Sequence, residues 1–278
     1  MSYQAEISRA NPTCFIFLID QSGSMTDGWA GDSNRKKADE LATIINRLLQ
    51  GLVIRNTTGD DVKDRFHIGV IGYGQAVNSS LAGPAGGQEL VPLSTIAKNP
   101  ARLEDRVKRV DDGAGGTINQ TVRFPIWFDP VANGGTPMCQ ALSEASRIVQ
   151  GWLSNHPGGF PPVVINITDG EATDGNPLAI AENIRQLSSS DGNVLLFNIH
   201  LSSRSAGEIL YPSDDGGLAD EYAKLLFQMS SVMPPKMFDE AKKGGYSVSE
   251  TSRGFAFNAN IVSVIDFLEI GTRPGNLR

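Results

Sequence analysis

The sequence predicts an α/β protein: a central, mostly parallel sheet with helices on both faces. Three observations carry this expectation. Residues 14–19, 163–167 and 194–201 are short apolar runs rich in β-branched and aromatic residues, and residues 66–73 form a fourth strand-like run. Such runs suit strands buried on both faces. Stretches with apolar residues three and four apart lie between them, as amphipathic helices require. The two kinds alternate along the chain, which is the pattern of a parallel sheet with helical crossovers.

The elements follow in order. The run at 14–19 ends in a polar turn from Asp20 to Asn34. Ala38, Leu41, Ala42, Ile45, Leu48 and Leu49 then predict a helix over about 35–52. Asn56-Thr57-Thr58-Gly59 breaks it before the strand at 66–73. From 74 to 130, strand-like pieces alternate with Gly and Pro. Within that region, residues 102–110 read as a short amphipathic helix through Leu103, Val107 and Val110, with mixed charges on a solvated face. Met138, Ala141, Leu142, Ala145, Ile148, Val149 and Trp152 form an apolar stripe, and Pro137 fits the first helical turn, where a missing N–H does no harm. After the strand at 163–167, a helix begins near Pro177 with Ile180, Ile184 and Leu187 on one face. The strand at 194–201 is followed by helices at about 219–229, 236–243 and 259–269, with a short strand near 255–257. No repeat or low-complexity linker interrupts the 278 residues. The expectation is one domain over residues 1–278, with its core at about 12–270 and an elaborated middle at about 75–133.

Composition narrows the function. Hydrophobic residues make up 40% and charged residues 20%, which excludes a disordered chain. Lys and Arg number 24 against 31 Asp and Glu, a net charge of −7, so the broad basic field that binds nucleic-acid backbones is missing. The early apolar run stops at Asp20, far short of the roughly 18 residues of a membrane span, and lacks the layout of an export signal. Cys14 and Cys139 are too few for a disulfide framework and have no neighbouring His for zinc. A cytoplasmic protein that meets neither nucleic acid nor membrane is expected.

Three segments fall at equivalent places. Asp20-Gln21-Ser22-Gly23-Ser24 follows the first strand, Thr168-Asp169-Gly170 follows the strand at 163–167, and Gly134-Gly135-Thr136-Pro137 precedes a regular helix. In an open α/β sheet, loops at the carboxyl ends of strands meet in one crevice. Asp20, Ser22, Ser24, Thr136 and Asp169 are therefore expected to converge. All five offer oxygen, two as carboxylates and three as hydroxyls. Hard cations such as Mg²⁺ take such ligands, and the set contains no His or Cys for zinc. A cation left electron-poor by hydroxyl ligands favours an incoming Asp or Glu from another protein.

The ordered set, Asp20-x-Ser22-x-Ser24, a Thr136 in a Gly-Gly-Thr-Pro turn, and Thr168-Asp169-Gly170, resembles the metal-ion-dependent adhesion site of von Willebrand factor A domains. The resemblance covers roughly residues 12–270 and is strongest to the stand-alone intracellular bacterial type associated with tellurium resistance. It implies a Rossmann-like fold with one short antiparallel edge strand. It implies that Ser22, Ser24 and Thr136 contact Mg²⁺ or Mn²⁺, with Asp20 and Asp169 acting largely through bound water. It further implies a non-enzymatic interaction module in a bacterial stress, signalling or defence system. Its protein partner would offer an Asp or Glu to the metal. A phosphatase or Ser/Thr kinase encoded nearby is one candidate.

Two features depart from the family pattern. The turn at 25–34 and the region at 75–133 are longer than usual, and both are expected to border the metal face. Trp29 in the first of them is either a partner anchor or a loop-packing residue. A metal-dependent phosphate-ester hydrolase or phosphotransferase is the alternative function. Against it, Asp20 lacks a second acid two residues on, no phosphate-cradling GxxxxGK[ST] loop is present, and no His is placed to activate Ser22. The run from Asp169 to Gly175 fails the EF-hand pattern, which leaves Asp174 as a turn residue. His67, His156 and His200 read as structural.

Overall fold

A computed structural model describes residues 3–29, 31–111, 116–201, 207–218 and 220–271. The elements run β1 (Thr13–Asp20), β2 (Gly28–Trp29), β3 (Asp32–Lys36), α1 (Lys37–Arg55), β4 (Thr57–Thr58), β5 (Asp61–Val62), β6 (Phe66–Tyr73), β7 (Val77–Ser79), β8 (Val91–Pro92), α2 (Leu93–Lys98), β9 (Arg102–Asp111) and β10 (Thr117–Ile126). They continue with α3 (Met138–Asn155), β11 (Val163–Thr168), α4 (Leu178–Gln186), β12 (Leu195–His200), β13 (Ile209–Leu210), α5 (Glu221–Met229), α6 (Pro235–Lys243), β14 (Phe255–Phe257) and α7 (Ile261–Gly271). The main sheet has the order β13-β14-β12-β11-β1-β6-β7, with β8 also paired to β6. β6, β1, β11, β12 and β14 are parallel neighbours in turn. Among the described residues this sheet has three antiparallel strands, β7 and β8 beside β6 and β13 beside β14, where the resemblance implied one. After β6 the chain turns back directly into β7, and so short a connection permits only antiparallel pairing.

β1 explains why the sheet is covered on both faces. Alternate residues of a strand point to opposite sides. Phe15, Phe17 and Ile19 join Leu41, Ile45, Leu49 and Leu52 of α1 and Phe267 and Leu268 of α7 on one side. Ile16 and Leu18 join Leu142, Ala145 and Val149 of α3, Ile184 of α4 and Leu226 of α5 on the other. Every residue of β1 is buried. No helix among the described residues is long and apolar enough to cross a membrane.

A polar ladder crosses the second layer. Tyr73 donates to Asn166 Oδ1 at 2.7 Å, Asn166 donates to Asn198 Oδ1 at 3.0 Å, and Asn198 donates to Ser230 Oγ at 2.9 Å. All four residues are buried. A one-residue slip in any of these strands would turn its polar residue to the other face, so the ladder reinforces the register of β6, β11 and β12.

Residues 102–110 are not the expected helix. They lie in β9, which pairs over ten residues with β10. The spacing of Leu103, Val107 and Val110 suits a helix, but Leu103 and Val107 are exposed and find no core. The period that wins is two. Arg102 and Arg106 both bridge to Glu104, at 2.8 and 3.3 Å, and the Arg106 guanidinium lies 3.8 Å from the centre of the Phe124 ring on β10. Those contacts need side chains on one face of a strand.

Asn46 ties this middle region to the core. Its amide donates to the carbonyls of Ala42 and Phe128, each at 2.8 Å, and its Oδ1 accepts the N–H groups of Trp127 and Phe128 at 2.8 and 3.1 Å. Asn46 is 2% exposed, so water cannot replace those bonds. Asn46→Ala is expected to destabilise the protein by about 2–4 kcal/mol, since buried donors and a carbonyl lose their partner. Urea unfolding checks this, and a loss below about 0.5 kcal/mol would contradict it.

Candidate functional site

Three loops meet at the carboxyl edge of the central strands, and they meet backbone to backbone. Gln21 N donates to Tyr73 O at 2.8 Å, Asn133 N to Gln21 O at 2.6 Å, and Gly23 N to Gly134 O at 3.0 Å. Two glycines make this approach feasible. A Cβ on Gly74 would stand 2.6 Å from Asn133 O and 2.7 Å from Gln21 O. Gly134 has φ +97°, a conformation that side chains disfavour, and a Cβ there would stand 2.5 Å from Gln75 N. The third loop is clamped in turn: Thr136 N donates to Thr173 Oγ1 at 3.0 Å, and Thr173 N donates to Thr136 O at 2.9 Å.

The side chains gather accordingly. Asp20 ends β1, and its Oδ1 accepts the N–H of Ser22 at 2.8 Å. Its Oδ2 accepts the Thr168 hydroxyl at 2.6 Å, a bond between the ends of two adjacent parallel strands. The hydroxyls of Ser22 and Ser24 are 3.0 Å apart, and Ser24 Oγ donates to Asp169 Oδ1 at 2.8 Å. Ser22 and Thr136 are buried, while Ser24 is exposed. Asp20, Ser22, Ser24 and Asp169 thus form one connected set, and Thr136 is held beside it through the backbone bond from Gly23 to Gly134.

Burial governs the electrostatics. Asp20 is 1% exposed. Burial pushes its carboxyl up to about 6 from an ordinary 3.8, against the hydrogen bonds from Thr168 and Ser22, which act to lower it. A buried carboxylate with so little water around it is a demand for a cation. Hydroxyl-rich oxygen donors with carboxylates behind them fit a hard divalent cation such as Mg²⁺ or Mn²⁺. Among the described residues no three His, Cys, Asp or Glu side chains cluster as a metal group, so the candidate donors owe their number to hydroxyls.

One residue at the site went unread in the sequence. Lys37, the first residue of α1, places its Nζ 2.6 Å from Asp169 Oδ2 and 4.0 Å from Asp27 Oδ2. The signal was present: a lysine in the first turn of a helix opposes the helix dipole and asks for a nearby anion. Other residues resolve as follows. Trp29 is 2% exposed and donates Nε1 to Ala259 O at 3.0 Å, so it packs the loop and is no surface anchor. Asp174 caps α3, accepting the N–H groups of Cys139 and Gln140 at 3.0 and 2.9 Å. His156 stacks on Trp152 and His200 on Phe257, and burial holds His67 and His200 below the usual imidazole range.

The sheet order and the helical layers on its two faces make this a Rossmann-like α/β fold. The chain is similar to the ArnB paralog VWA2 from Sulfolobus acidocaldarius, with 14% identity over 70% of this chain and a TM-score of 0.36. It is similar to the vWF domain of a type V pili tip protein from Porphyromonas gingivalis, with 13% identity over 58% and a TM-score of 0.33. It is also similar to the PilB minor pilin from Streptococcus sanguinis, with 10% identity over 97% and a TM-score of 0.45. It spans 36%, 39% and 62% of those three chains respectively. Neither a protein-family profile nor a curated protein sequence matches it.

The raised carboxyl has a consequence for stability in metal-free protein. Between about pH 4 and pH 6 the folded chain keeps a proton on Asp20 that the unfolded chain has lost, so stability falls as pH rises through that window. Asp20→Asn removes this cost. In a chelator, Asp20→Asn is expected to be about 1–3 kcal/mol more stable than wild type at pH 8, and equal to it near pH 4. Urea unfolding at the two pH values reads the difference. A variant less stable than wild type at pH 8 would overturn the assignment.

Proposed function

We propose that the protein is a Mg²⁺- or Mn²⁺-dependent protein-interaction module. Asp20, Ser22, Ser24, Thr136 and Asp169 would hold the cation, and an Asp or Glu of a partner would complete its coordination. One observation carries this reading: the connected set from Asp20 through Ser22 and Ser24 to Asp169, built from loops that are far apart in sequence. Asp20 also spends both oxygens on Ser22 N and Thr168 Oγ1. That suits a carboxylate acting through water and leaves the cation to the hydroxyls. A metal bound mainly by neutral ligands keeps its charge and attracts an external carboxylate. A bacterial stress, signalling or defence setting, with a phosphatase or Ser/Thr kinase as partner, belongs to the same proposal.

The test is capture of partners from the native extract in three arms: wild type with Mg²⁺, wild type with EDTA, and Asp20→Ala with Mg²⁺. A protein retained only in the first arm is the expected outcome, with at least about tenfold loss in the others, the scale of removing one buried charge partner. Equal retention in all three arms would place docking away from this site.

A further inference from the structure

Lys37 is the most deeply buried cation beside the site, and nothing in the motif calls for it. It is 2% exposed, and lysines are rarely so buried without a paired anion. Its Nζ and the Ser24 hydroxyl are held by opposite oxygens of one carboxylate, at 2.6 Å from Asp169 Oδ2 and 2.8 Å from Asp169 Oδ1. The Asp169 side chain is itself 1% exposed. Ser24 leads on to Ser22, 3.0 Å away, so the ammonium and the hydroxyl pair are joined through the two oxygens of the same carboxylate. A fixed positive charge therefore stands one carboxylate away from the place where the hydroxyls would hold a divalent cation.

We propose that Lys37 is an internal competitor for that cation: it holds Asp169 when no metal is bound and keeps intrinsic metal affinity low. The inference rests on the reading of the site given above. Charge makes the argument. Asp20, Asp169 and Lys37 together carry a single negative charge, while Asp27, 4.0 Å from the ammonium on a side chain 59% exposed, is screened by water. A divalent cation converts that inner charge to a single positive one. Without the lysine the same cation would meet two negative charges and be neutralised. Lys37 thus disfavours metal alone, and it leaves the loaded site one negative charge short, which is what an acidic partner residue supplies. At separations of a few ångströms in a partly buried site, such charges are screened far less than at the surface. The helix dipole at the start of α1 acts in the same direction as Lys37.

The experiment measures Mn²⁺ affinity by calorimetry on the full chain. Lys37→Met and Lys37→Gln are expected to bind Mn²⁺ about tenfold more tightly than wild type, and Lys37→Arg to stay within about threefold of it. Gln keeps a donor for Asp169 without the charge, so it preserves the positioning that Met loses. Unchanged or weaker Mn²⁺ binding in Lys37→Gln, with measurable binding in wild type, overturns the role of Lys37 and leaves the metal-centre reading intact. No Mn²⁺ binding by wild type or by either uncharged variant overturns both. Should the uncharged variants fail to fold, the wild type still decides. The ¹³Cε resonance of Lys37 is expected to shift as Mg²⁺ is titrated in, and a resonance that does not move counts against the proposal.

Discussion

The organisation of this protein turns on a carboxyl group at the end of a strand that water cannot reach. β1 is buried along its whole length, and its last residue is Asp20. Its carboxylate cannot be solvated in the usual way, so every neighbouring element is arranged around it. Thr168 and the N–H of Ser22 take its two oxygens. The turn through Ser22 and Ser24 then reaches Asp169, and Asp169 in turn holds Lys37. Each link partly offsets the cost of burying the one before it.

That chain of contacts requires the strands to end level with one another. Parallel pairing of β1 with β11 places Ile19 opposite Ile167, so Asp20 and Thr168 emerge side by side. Pairing with β6 places Asp20 opposite Tyr73, whose hydroxyl starts the buried ladder through Asn166 and Asn198. The ladder resists register slip, and register is what keeps the acidic residues at one edge. The candidate site and the fold's register therefore draw on the same strands.

The elaborated middle contributes in a different way. Trp127 and Phe128 belong to the core beneath α1, anchored by Asn46, while β9 and β10 extend as a separate two-stranded ribbon. A ribbon of this kind has little core of its own, and its stability comes from cross-strand pairs such as Arg106 with Phe124. Trp29 shows the same economy in the other long turn, where a large side chain closes a gap against the segment before α7.

The sequence by itself determined the alternation of strands and helices, the burial of β1 on both faces, and the strand-end loops in which Asp20, Ser22, Ser24 and Asp169 come together. Each of these is written in local pattern: apolar runs, helical spacing, and polar residues just past the ends of apolar runs. Tertiary structure alone decided the rest. Residues 102–110 became a strand because β10 lay opposite to pair with them, and no local period can report that partner. Trp29 turned inward because Ala259, 230 positions away, offers a carbonyl. Lys37 became part of the site because Asp169, 132 positions away, arrives on a neighbouring strand at the same edge. A lysine's long side chain takes its role from whichever anion the fold brings within reach, and that choice is made in three dimensions.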